Sequence, residues 1–158
     1  MKPPSGVPPR PAAKPPAADP RINLSVTDES KRAEFAWRAA AAASKDFKSL
    51  VKAAPSLLAA SGLMATLAFL QGKAKNRDRQ PGKEDSPQGW LRDVLLLWLA
   101  ARSPAGHPPD YETIQEALFR CPPAEYRLLT EEVAGMLAWL RYFVDARASS
   151  EAAAGAKA

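Results

Sequence analysis

Histidine and cysteine are almost missing from this 158-residue chain, which has only His107 and Cys121. A single cysteine excludes an internal disulfide, and one histidine with one cysteine removes most zinc sites and histidine-dependent triads before any geometry is considered. His107 lies among turn formers, in Ser103-Pro104-Ala105-Gly106-His107-Pro108-Pro109, and reads as a loop residue. Cys121 precedes Pro122 and Pro123 and reads as a small packing residue at a helix junction. The chain has no HExxH, no Walker loop and no GxSxG. Its adjacent carboxylates Glu131 and Glu132 point in different directions from a helix. No catalytic residue, metal ligand or cofactor site is expected, and the reading is of a protein that is not an enzyme. With one cysteine and no apolar signal-type segment, the expected setting is reducing and cytoplasmic.

Charge is the next absence. No ionisable side chain occurs from Ala53 to Gly72, within the run Pro55 to Lys73. Proline suits the first turn of a helix, where its missing N–H would have no partner, so a helix is expected to start at about residue 55. Leu57, Leu58, Leu63, Met64, Leu67, Phe69 and Leu70 surround its axis, which marks it as the buried centre of a fold. About 20 apolar residues also suffice to cross a bilayer. Ser56, Ser61, Gly62, Thr66 and Gln71 dilute this run, and no membrane partner is expected.

Half of the 16 prolines lie before Arg21. Residues 1–25 combine Pro and Ala with four basic groups and one acid, too little apolar surface to offset chain entropy, and read as a disordered, partly polyproline tail. The domain is expected over 26–147, and 148–158 as a second loose tail. The net charge of +5 is unevenly spread: residues 26–92 hold twelve basic and seven acidic groups, whereas 93–146 hold four and eight. The folded part therefore has a basic N-terminal half and an acidic C-terminal half.

Helical periodicity runs from Thr27 or Asp28, either of which can cap, to about Lys52, with Phe35, Ala39, Ala42, Ala43, Phe47, Leu50 and Ala54 on one stripe. At 1.5 Å per residue such a helix would be about 35 to 40 Å long. Arg38, Lys45, Lys48 and Lys52 fall on the opposite side as one basic ridge, spaced for phosphate contacts, with Glu34 beside them. Residues 72–89 read as a charged flexible loop, Trp90 to Arg102 as a short apolar helix, and Tyr111 to Arg120 as a helix capped by Asp110. Pro122 and Pro123 open the last long helix. Phe35, Phe47, Phe69, Trp90, Trp98, Trp139 and Phe143 all sit in apolar register and are expected to pack in the core. No strand is expected: the fold is an all-α bundle of about five helices.

Two stretches then carry a resemblance. The first is Phe47, Pro55-Ser56-Leu57-Leu58, Ser61-Gly62-Leu63, Leu67-Ala68-Phe69-Leu70 and Lys73; the second is Tyr126-Arg127, Thr130 and Trp139-Leu140-Arg141-Tyr142-Phe143. In order and spacing, over residues 30 to 146, they resemble the small α-helical subunit of type III-B CRISPR RNA-silencing (Cmr) effector complexes. The chain departs from that pattern at Ser61, where Asn is usual, and at Tyr142, where a second basic residue is usual. The resemblance implies a non-catalytic subunit that stacks in copies into an inner filament, joins other CRISPR subunits and the guide RNA complex, and helps hold target RNA. Site residues expected from ridge and resemblance together are Arg38, Lys45, Lys48, Lys52, Lys73 and Arg141. Head-to-tail stacking would give the charge polarity a use, with the basic half of one copy against the acidic half of the next. The competing readings are a helical adaptor binding only proteins, with the Pro-rich segment as a docking element, and a stand-alone DNA-binding protein without a recognisable turn and recognition helix.

Overall fold

The computed structural model describes residues 26–41, 43–102 and 108–157, and the readings of the Pro-rich segment 1–25 and of His107 lie outside them. The described residues form six helices and no strand: α1 (Val26–Ala39), α2 (Lys45–Ser61), α3 (Leu63–Lys73), α4 (Pro87–Arg102), α5 (Tyr111–Phe119) and α6 (Pro123–Lys157). The all-α expectation holds, with one helix more than expected because two junctions fall elsewhere.

The first junction corrects the single helix expected from Thr27 to Lys52. The chain turns after Ala39, and Ser44 starts α2 in extended conformation with its hydroxyl accepting the Phe47 N–H at 3.1 Å. The alanines around it favour helix but offer little apolar surface to hold a straight rod. A serine cap and two separate packing faces win. Ala36 of α1 and Ala40 of the turn are buried, as are Phe47, Val51, Ala54 and Leu58 of α2. Both helices pack on α6.

The second junction corrects the helix expected from Pro55 to Lys73. Pro55 lies inside α2, where its ring removes one backbone donor, and the break comes at Gly62. Gly62 holds φ 86° and ψ 170°, a region open essentially to glycine alone. Its N–H closes α2 on the Leu58 carbonyl at 2.8 Å, and its carbonyl accepts the Thr66 N–H at 3.0 Å to begin α3. The Tyr126 hydroxyl of α6 accepts the Met64 N–H at 3.1 Å and so satisfies another first-turn donor of α3. Nor is α3 buried all round: Leu63, Thr66, Leu67 and Leu70 face the core, while Ala65, Ala68 and Phe69 face outward.

The core is completed by Leu91, Leu95, Leu96 and Leu99 of α4, Ile114 and Leu118 of α5, and Val133, Met136, Leu137, Leu140 and Val144 of α6. Of the aromatics expected inside, Phe47 and Trp98 are buried and Phe35, Trp139 and Phe143 partly so. Phe69 and Trp90 are 42% and 53% exposed. α6 is the spine. Its 35 residues span about 52 Å at 1.5 Å per residue. The helix runs through the Ala-rich segment where a loose tail was expected from residue 148, as alanine's helix propensity favours. Glu132 of α6 is fully buried and gathers Arg32 of α1 at 2.6 Å and Arg102 of α4 at 3.5 Å. Removing one partner from a buried ion pair of this kind costs about 3 to 5 kcal/mol, because a charge is left uncompensated. Asp110 caps α5 as expected, its carboxylate accepting the Thr113 N–H at 3.1 Å; hydrogen bonds from Thr113 hold its pKa below the ordinary 3.8.

Gly62→Ala should lower stability by about 1 to 3 kcal/mol through backbone strain alone, since the new methyl would meet only Tyr126 Oη at an ordinary 3.5 Å. Gly72→Ala, in open space inside α3, should raise stability by about 0.5 to 1 kcal/mol. Urea unfolding of both variants checks the pair; equal effects would contradict the assignment of strain to Gly62.

Candidate nucleic-acid interface

Three of the expected cations lie together. Lys45, Lys48 and Lys52 follow one another at helical spacings of three and four on α2, so their side chains leave one face. Lys52 Nζ stands 3.0 Å from Asp145 Oδ1 on α6, with both side chains about half exposed. A surface pair of this kind is worth at most about 1 kcal/mol and is screened by salt, so Lys52 can exchange this partner for a phosphate. Arg141 is exposed one turn before Asp145 on α6 and shares its flank, on the side of the bundle that carries Lys52. Four cations from two helices thus line one seam, with Asp145 among them.

The other two expected cations do not join this seam. Arg38 ends α1, on the far side of the turn that splits the expected ridge, and its guanidinium is 2.5 Å from Glu34. Lys73 ends α3 and belongs with the segment 74–86 that follows. The single four-residue ridge is therefore corrected to a three-lysine face on α2.

That following segment was expected to be flexible, and it is instead built around a buried arginine. Arg92, fully buried in α4, donates to Asp93 Oδ1 at 3.0 Å, Gln71 Oε1 at 2.9 Å, the Asn76 carbonyl at 3.1 Å and Asp85 Oδ2 at 3.0 Å. Asp85 Oδ1 in turn accepts the N–H groups of Lys75, Asn76 and Ser86 at 2.9, 3.0 and 2.8 Å. Gly89 lies beneath this carboxylate, where a Cβ would come within 1.9 Å of Asp85 Oδ1. Asn76 ties the far strand of the loop, its side chain donating to the Gln80 and Lys83 carbonyls at 2.9 and 3.2 Å. Arg79, at φ 54°, pairs with Asp93 at 2.9 Å. The exposed Lys73, Lys75, Arg77 and Lys83 are thereby carried on a fixed framework. Lys75, Arg77 and Lys83 were not among the residues singled out from sequence. The signal was present in Arg92 itself: an arginine inside Trp90 to Leu99, where Asp93 is the only other charged residue, must be supplied with acceptors if it is buried.

Among the described residues, no group of three His, Cys, Asp or Glu side chains stands together to hold a metal. Burial, and secondarily the Glu125 carboxylate, push the Cys121 thiol above its ordinary range, which disfavours the nucleophilic thiolate. No described helix is long and apolar enough to cross a membrane.

The family model described as CRISPR-associated protein (Cas_Cmr5) matches residues 28–147, which include all six helices' core positions and the α2 face. The chain belongs to this family. No curated protein matches it. As a Cas_Cmr5 member it is a small helical subunit of a multisubunit type III-B CRISPR (Cmr) effector complex. The matched range begins after the Pro-rich segment 1–25.

Proposed function

We propose that the chain is a non-catalytic subunit of its CRISPR complex that helps hold target RNA along the α2–α6 seam and stacks in copies head to tail. The observation that carries the RNA reading is the cationic row Lys45, Lys48 and Lys52, exposed at Lys45 and Lys52 and half-buried at Lys48, with the exposed Arg141 beside it. Cations at helical spacing on a convex surface suit a phosphate backbone and carry no base readout, as suits a subunit that must accept any target the guide specifies. Lys73, on its own framework with Lys75 and Arg77, extends the positive surface at the other end of α3.

The stacking reading rests on charge and exposure. α5 and the start of α6 present Glu112, Glu116, Glu125 and Glu131 on the surface, together with Phe119, which is 65% exposed. A basic α2 face and an acidic, partly apolar α5 region on the same molecule are complementary but not self-complementary. That is the requirement for a heterologous, head-to-tail contact. An adaptor that binds only proteins would use the same exposed apolar residues and leave the lysine row without a role.

Lys45→Glu, Lys48→Glu and Lys52→Glu together should weaken target-RNA binding by the assembled complex for all sequences alike, and reduce the log–log salt slope by about 2, from roughly 0.7 per single-strand phosphate contact. Filter binding at several salt concentrations reads both; an unchanged affinity would leave the adaptor reading in place. Light scattering of the isolated subunit should show larger species at low salt than at high salt. A size independent of salt would contradict charge-guided stacking.

A further inference from the structure

An open groove of about 630 Å³ lies between the α1–α2 turn and the outer face of α4. Trp90, Val94 and Leu97 form a stripe along it at spacings of four and three, facing Ala39. Trp90 and Leu97 are 53% and 43% exposed, an uncommon state for such large apolar side chains. Asp46 and Glu84 stand on the rim with no ion-pair partner among the described residues, whereas Asp85 and Asp93 are held by Arg92 and Arg79, and Arg38, the other cation of the lining, is paired with Glu34. The groove thus offers an exposed tryptophan, an aliphatic floor and spare negative charge. This is the chemistry of a surface for an extended, proline-rich segment carrying a cation.

The chain itself contains such a segment. Residues 1–25 hold four basic groups against one acid, and Pro8-Pro9-Arg10-Pro11 places two prolines three residues apart with an arginine between them. At three residues per turn of polyproline II, Pro8 and Pro11 share one face. Reach is sufficient: fourteen residues lie between Pro11 and Val26, a span of about 45 Å at 3.1 Å per residue, whereas α1 from Val26 to Arg38 is about 18 Å long.

We propose that Pro8–Pro11 docks in cis on the Trp90 groove, its prolines against Trp90 and Leu97 and Arg10 toward the Asp46 and Glu84 rim. Seated there, the segment covers the apolar stripe of α4. The docking is intramolecular, so its extent does not depend on concentration.

Fluorine NMR of the full chain with 5-fluorotryptophan at its four tryptophans tests this directly. Pro8→Ala, Pro9→Ala, Arg10→Glu and Pro11→Ala together should move the Trp90 resonance by more than its linewidth, leave those of Trp98 and Trp139 in place, and do so equally at all dilutions. Glu84→Lys alone should move Trp90 in the same sense, and Glu84→Lys combined with Arg10→Glu should restore the wild-type position. An unmoved Trp90 resonance, or movement of all four, overturns the proposal. A displacement that fades on dilution assigns the groove to a second copy and overturns docking in cis.

Discussion

The positive φ of Gly62 is the constraint on which the arrangement of this bundle depends. With any other residue there, α2 would tend to run on into α3 as one rod. Because Gly62 ends one helix and begins the next within a single residue, α2 is free to lie along α6 while α3 packs on α4 and α5. Tyr126 secures the corner by accepting the Met64 N–H, so the spine helix recognises the break itself and not merely the side chains around it.

Two ionic nodes, one on buried Glu132 and one on buried Arg92, then convert the arrangement into one rigid set. Glu132 draws Arg32 and Arg102 toward α6, which ties α1 and α4 to the spine. Arg92 and Asp85 organise residues 74–86 from within, using backbone groups of the loop as acceptors and donors. Such nodes are costly to bury and costly to break, and they specify one geometry where leucine packing alone tolerates several.

The difference between what the sequence discloses and what it conceals follows from these same residues. Helical periodicity and the Asp110 cap are local, and they located α4, α5 and α6 well. The motif residues from Pro55 to Lys73 disclosed the family, although the segment is two helices. Ser44 and Gly62 misled for one reason: each reads as a tolerable interruption in a helical pattern, and only packing on α6 makes each a terminus. Pro55 misled in the opposite sense, since tertiary contacts hold it inside a helix. The order in residues 74–86 depends on contacts between Gln71, Asp85 and Arg92, which no periodicity conveys. Of the six cations expected at the site, three share α2 and Arg141 lies one helical turn before Asp145, the partner of Lys52, whereas Arg38 and Lys73 belong to other surfaces.

Family membership places the chain in a CRISPR effector complex; to this we add the proposal that its α2 face meets the RNA. Site-specific photocrosslinking in the assembled complex tests that addition most directly, with a photoreactive residue at Lys48 on α2 and, separately, at Glu116 on α5. The account predicts a crosslink to target RNA from position 48 and to protein from position 116. Crosslinking of target RNA from position 116 and not from 48 would contradict it.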